Sequence, residues 1–261
     1  MRFDISDELV ARASAGKVLA RPNPNQLALR RSTDIVGLTG SRGNPDLQPF
    51  EADQYDLGVE WYFSEVSYAS VALFRKEISS FITTLSEFEE IDGVRYSISR
   101  PINGQDNVTI NGIEAGLQLA FDFLPKPFDG FGLLTNITYQ DDEGFRLSDA
   151  ARTPATFPGL SNLSYNASLY YENERFSVRT SYNWREEWLI TPSGRGALPE
   201  YNEDYGTLDA SASFNFTPDI TLFLEAVNLL SEPRIENNNA FRRIGNETFG
   251  SRYFAGVRAK F

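Results

Sequence analysis

Apolar and polar residues alternate along most of this chain with a period of two, the pattern of strands that face two different environments. In 112–123, Ile113, Ala115, Leu117, Leu119, Phe121 and Phe123 share one face, opposite Glu114, Gln118 and Asp122. Residues 162–171 set Leu163, Tyr165, Ala167, Leu169 and Tyr171 against Asn162, Ser164, Asn166 and Ser168. Residues 176–185 set Phe176, Val178, Tyr182 and Trp184 against Ser177, Arg179, Ser181, Asn183 and Arg185. Leu208, Ala210, Ala212, Phe214 and Phe216 oppose Asp209, Ser211, Ser213 and Asn215, and Leu57, Val59, Trp61 and Phe63 oppose Gly58, Glu60 and Tyr62. At the end of the chain Tyr253, Ala255, Val257, Ala259 and Phe261 face away from Arg252, Phe254, Gly256, Arg258 and Lys260. Further strands are predicted around 8–20, 67–85, 131–140 and 220–230, with weaker alternation, most of all at 67–85 and 220–230. The reading is all-β, with about ten antiparallel strands.

Alternation alone fits a soluble sandwich as well as a membrane barrel, and the connections separate the two. Short links at 4–8, 64–66, 124–129, 172–175 and 217–219 alternate with long ones at 21–53, 86–106, 141–161, 189–205 and 231–250. Short turns at one end and long loops at the other is the layout of an outer-membrane β-barrel. The short links carry turn chemistry, as in Thr217-Pro218-Asp219. Aromatics fall in two bands. Trp61, Phe63, Phe121, Phe123, Tyr171, Phe176, Phe214, Phe216 and Phe261 lie beside the short links; Tyr139, Trp184 and Tyr253 lie near the long ones. Such bands are the girdles of a transmembrane barrel, whose strands cross a bilayer in about nine to eleven tilted residues.

Composition narrows the chemistry. The 261 residues suit one all-β domain, and no stretch approaches the roughly eighteen apolar residues of a membrane-spanning helix. With no Cys and no His, disulfide frameworks, Ser-His-Asp and Cys-His catalysis and the commonest zinc sets are excluded. A net charge of -12 argues against a nucleic-acid partner. The N-terminal Met1-Arg2-Phe3-Asp4-Ile5 lacks the basic and apolar regions of a signal peptide. If Phe261 sits at the periplasmic end, the strand at 8–20 runs upward and Met1-Arg2-Phe3 is the tail of a preceding downward strand.

Gly43-Asn44-Pro45-Asp46-Leu47-Gln48-Pro49-Phe50-Glu51, followed by Tyr55-Asp56-Leu57-Gly58-Val59-Glu60, resembles a stretch of TonB-dependent receptors, with Phe50 interposed before Glu51. Lys17 to Pro22, Asn111-Gly112-Ile113-Glu114, Asn136-Ile137-Thr138-Tyr139, Phe223 to Leu230 and the terminal Tyr253 to Phe261 add to the likeness, in the family's order and spacing. The resemblance implies an antiparallel transmembrane β-barrel in the bacterial cell outer membrane. Residues 1–261 would be the C-terminal portion of a 22-stranded barrel, with plug, coupling box and first strands absent. It implies TonB-energised uptake of a scarce large solute of the oligosaccharide, siderophore or cobalamin class. Implied partners are outer-membrane lipid, the ligand, the barrel-assembly machinery through a sorting signal at Tyr253, Val257 and Phe261, and TonB only through the missing N-terminal region. No cofactor and no catalysis are implied. The alternative is an autonomous small barrel acting as a pore or adhesin. A barrel enzyme would need a catalytic His, and a soluble sandwich would leave the girdles unexplained.

Ligand contacts are expected where inward polar side chains meet loop aromatics. Candidates are Arg185, Glu187 and Trp188 at a strand top, Tyr201 and Tyr205 in the next loop, and Phe241, Arg242 and Arg243 in the last. Aromatics stack on sugars or flat chelates, and Arg grips anions bidentately. The inward Arg179, Arg185, Arg258 and Lys260 are expected to pair with Glu114, Asp122, Asp209 and Glu225. The acidic groups Glu87, Glu89, Glu90, Asp92 and Asp141, Asp142, Glu143 are of the type that holds Ca²⁺, but neither matches an EF-hand loop, and no metal site is expected.

Overall fold

The computed structural model describes residues 1–104, 107–143, 156–192, 194, 198–238 and 242–260. Its main body is one eleven-stranded sheet that runs in sequence order. The strands are β1 (Arg2–Asp4), β2 (Leu9–Ala20), β5 (Phe50–Tyr62), β6 (Tyr68–Ser79), β9 (Val108–Ala120), β10 (Phe131–Glu143), β11 (Leu163–Glu172), β12 (Phe176–Arg185), β15 (Tyr205–Thr217), β16 (Ile220–Val227) and β19 (Arg252–Ala259). Every neighbouring pair in it is antiparallel. The ten predicted strands are all present, and Arg2–Asp4 is the eleventh, paired to Val10–Arg12.

The outward rows are apolar. Leu57, Leu73, Ile113 and Tyr139 lie side by side, and below them Val59, Val71, Ala115 and Ile137. Most of these large side chains are exposed, which in water would be untenable for so continuous a surface. Above the band the outward row changes to Lys17, Asp53 and Glu77, with Lys17 Nζ 3.0 Å from Glu51. The apolar band therefore has a defined upper edge. From Phe131 to Tyr139 eight steps of about 3.4 Å, tilted by roughly 35–45°, rise about 19–22 Å, near the height of a barrel's lipid-facing band. At the lower edge rings touch along the sheet: Trp61 with Phe63 (5.0 Å between centroids), Phe131 with Tyr171 (4.8 Å) and Phe176 with Phe214 (4.9 Å). At the upper edge Tyr165 stacks on Trp184 at 5.3 Å.

Four of the five long connections carry further strands among the described residues: β3 (Arg31–Asp34), β4 (Thr39–Arg42), β7 (Ile82–Ile91), β8 (Val94–Asn103), β13 (Trp188–Thr191), β14 (Glu200–Asn202), β17 (Arg234–Asn238) and β18 (Arg242–Glu247). These form two four-stranded sheets, β3-β4-β8-β7 and β13-β14-β17-β18, each built from two different loops. The strand predicted over 67–85 is thus two. Ser80 at φ 54° turns the chain out of β6, and Phe81, 2% exposed, enters a core with Ile78, Val108, Ile110, Leu160 and Leu189. That core lies at the strand tops and in the loops. The strand predicted over 220–230 likewise stops at Val227, where Asn228 takes φ 55°.

Candidate functional site

Arg185 ends β12, and Tyr205, which opens β15, is its register partner. Trp188 opens β13, only three residues on, so its ring comes back under the Arg185 guanidinium at 3.7 Å. One edge of the guanidinium is engaged: Nε and Nη2 donate to the Ser161 hydroxyl at 3.0 and 2.8 Å, and Nη2 to the Gly159 carbonyl at 2.8 Å. Ser161, itself buried, donates a hydrogen bond from its hydroxyl to the Glu186 carbonyl at 2.6 Å. The expected pairing of Arg185 with an inward carboxylate is therefore not made. Neutral acceptors at the base of the loop claim the cation instead. Arg179 lies over the Tyr170 ring at 5.7 Å.

Tyr201 stands in β14 opposite Leu189, packed against the loop core. Burial pushes its phenol pKa up, and the Glu187 charge adds to the rise. Glu187 is raised by burial first and then by Glu203, Asp204 and Glu186. Arg185, Glu187, Trp188, Tyr201 and Tyr205 so form one neighbourhood. Arg242 and Arg243 do not join it. They sit exposed in β18, opposite Asn238 and Asn237, three strands from β13, or about 14 Å at normal strand spacing. Phe241 and Phe261 lie outside the described residues. Tyr253 and Val257 occupy the outer face of β19, both well exposed.

Directly below Arg185 and Tyr205, on the inner wall, is a concavity of about 290 Å³ lined by Asn136, Ser164, Asn166, Asn183 and Thr207. Register places Asn136, Asn166, Asn183 and Thr207 in one row across β10, β11, β12 and β15. Sequence reading put Asn166 and Asn183 on the polar face but did not bring them together, because a shared row depends on the stagger between strands. The acidic cluster of the β7–β8 hairpin is ion-paired: Glu87 to Arg100 at 2.9 Å, and Glu89 to Arg42 at 2.9 Å and Arg31 at 3.4 Å. Among the described residues no group of three or more acidic side chains is placed to hold a metal ion.

Residues 1–229 match the family described as TonB dependent receptor-like, β-barrel. Solved structures with the same fold include the siderophore receptor PirA from Acinetobacter baumannii (18% identity, TM-score 0.68), which this chain covers to 40% of that receptor's length. A mutant of the ferric enterobactin receptor PfeA from Pseudomonas aeruginosa (16%, TM-score 0.69) is covered to 39%, and the copper transporter OprC (16%, TM-score 0.67) to 38%. In each case all of this chain is aligned, so it spans about two fifths of the length of the receptors it matches. No curated protein sequence matches it.

Proposed function

Because the chain belongs to the TonB-dependent receptor-like β-barrel family, a family of outer-membrane receptors rather than enzymes, we propose that it is the C-terminal part of an outer-membrane receptor wall and its ligand-gathering cap. In this reading residues 1–261 supply the last strands of the barrel, and the edges at β1 and β19 take the remaining ones. The loops bind a scarce large solute of the oligosaccharide, siderophore or cobalamin class. Uptake is energised by TonB through a region outside these strands. Outer-membrane lipid surrounds the wall, and the strand carrying Tyr253 and Val257 addresses the chain to the barrel-assembly machinery.

The observation that supports this best is the division of apolar surface. Large outward side chains are exposed along the wall, whereas the buried core gathers at the strand tops and in the loops. A wall of that kind is stable against lipid, and a cap of that kind is ordered in water. The chain has no cysteine, which permits a clean topology test. In intact cells a membrane-impermeant maleimide should label Val36→Cys in the β3–β4 hairpin and spare Pro218→Cys in the β15–β16 turn until the outer membrane is permeabilised. Equal labelling of both, or recovery of the protein in the soluble fraction, would refute the reading.

A further inference from the structure

The row beneath the cap points to a ligand class. Asn136, Asn166 and Asn183 sit on three adjacent strands, directly opposite one another, so their amides repeat at about the 4.7–4.9 Å spacing of paired strands. None of the three side chains makes a hydrogen bond to a described residue; the Thr135 hydroxyl reaches Asn166 at its backbone carbonyl, not its side chain. Next to Asn136 on the other side the row continues with Gly116 and then Ser70, whose hydroxyl leans over the glycine. The row is uncharged. The one charged side chain at the concavity is Arg185, whose Nε and Nη2 are held by Ser161 and Gly159 and whose plane lies over Trp188.

A primary amide offers an acceptor oxygen and two N–H donors side by side. A hydroxyl likewise donates and accepts, so three free amides in line match a ligand edge that carries several hydroxyls. At the row itself an anionic ligand would find only neutral amides and would lose hydration without repayment, while the Arg185 guanidinium at the rim is turned toward Ser161, Gly159 and Trp188. A hydrophobic ligand would strip water from the amides for nothing in return. Tyr205 stands at the rim on the row above, next to Arg185, where its ring can cover the apolar face of a sugar. With a volume of 290 Å³, the concavity is at the small end of the roughly 300–1,000 Å³ range of small-molecule sites. That is room for the terminal one or two rings of a longer chain.

We infer that the Asn136-Asn166-Asn183 row is a subsite for a neutral sugar, and that the solute of this receptor is an uncharged oligosaccharide. The inference rests on the receptor reading above and chooses among its ligand classes.

The test is equilibrium dialysis on outer-membrane preparations from cells expressing the protein, and in parallel on protein refolded in micelles. The probes are neutral linear hexasaccharides of glucose, xylose and N-acetylglucosamine, a ferric catecholate, and cobalamin. Saturable binding of at least one hexasaccharide is expected, and Asn166→Leu with Asn183→Leu should weaken it at least tenfold. Asn166→Ser with Asn183→Ser, which keeps small polar residues on both strands, should weaken it also and guards against misfolding of the leucine variant. Binding of the ferric catecholate or cobalamin but of no hexasaccharide would overturn the sugar assignment and leave the receptor reading standing. Binding of no probe would overturn both. Hexasaccharide binding that both double variants leave unchanged would overturn the subsite.

Discussion

Replacing Asn228 by alanine should loosen the end of the barrel that carries the last long loop. The residue sits where β16 stops, at φ 55°, and is 4% exposed. Its N–H donates to the Asp209 carboxylate at 2.8 Å, and its side-chain oxygen accepts the Glu232 N–H at 3.0 Å. Its side-chain nitrogen reaches the carbonyls of Glu232 at 3.3 Å and Gly250 at 3.5 Å, and Ser251 donates to its carbonyl at 2.8 Å. Both ends of the 228–251 loop are thus tied through one side chain. Alanine leaves the Glu232 N–H without its acceptor, a cost of about 1–3 kcal/mol, and suffers about 1–2 kcal/mol of left-handed strain that Asn tolerates better. We expect a loss of about 2–5 kcal/mol for Asn228→Ala. Asn228→Gly keeps the turn but not the bonds and should lose about 1–3 kcal/mol. The assay is urea unfolding in micelles at fixed detergent, followed by tryptophan fluorescence. With a slope of about 2 kcal/mol/M, the alanine midpoint should fall by about 1–2.5 M. If both variants lie within about 0.5 kcal/mol of the parent, the level of an indifferent surface change, the side chain ties nothing. If glycine matches the parent and only alanine falls, the effect belongs to the backbone alone.

Phe81→Ala should cost about 3–5 kcal/mol locally, because the ring is 2% exposed and meets Phe157 edge-on at 5.7 Å; trypsin should then cut the loops of intact cells at least several-fold faster while heat-modifiability on gels is kept. Gly112→Ala should cost about 1–3 kcal/mol, since a methyl there collides with the Phe74 ring across the sheet, and adding Phe74→Leu should restore much of that loss in a double-mutant cycle. Glu187 holds its proton more tightly in the folded chain because burial and its acidic neighbours raise its pKa. Its ionised form therefore costs stability, with no cost below the ordinary value of 4.5 and a growing one as pH rises through the raised value. The urea midpoint of Glu187→Gln should accordingly exceed the parent's at pH 8 and match it at pH 4.

The wall was legible because its signal is local. Period-two alternation needs only the residues of one strand, and the order of short and long links needs only their lengths. The cap was less legible because its sheets join loops far apart in sequence. Residues 39–41 pair in parallel with 97–99, and 200–202 pair with 236–238. Part of the signal was nevertheless present. Val94, Tyr96 and Ile98 alternate with Arg95, Ser97 and Ser99, and the structure buries Tyr96 and Ile98. The segment read as loop because no turn-length rule for the wall left room for it. At the site, the contact between Arg185 and Trp188 followed from their closeness in sequence. The separation of Arg242 and Arg243 did not, because it depends on β14 and β17 lying between them and β13.

The placement of the buried residues bears on how the cap works. An isolated loop that closes on a solute must give up backbone and side-chain freedom at the moment of binding, which subtracts from affinity. Here that ordering is built in. Leu189 and Val108 are fully buried at 0% exposure, and Ile98 is as well. Leu160 packs with Leu189 and Phe81 in one cluster, so the described parts of the loops before β11 and after β12 share a core with the top of β6. Arg185 is fixed by Ser161 from one of these loops and by Trp188 from the other. Its posture over the asparagine row is therefore set before any ligand arrives. In the proposed receptor the apolar wall gains its hydrophobic stabilisation only in the membrane, whereas this cluster gains it in water. On the proposed reading, the rim of the concavity is thus ordered without a ligand.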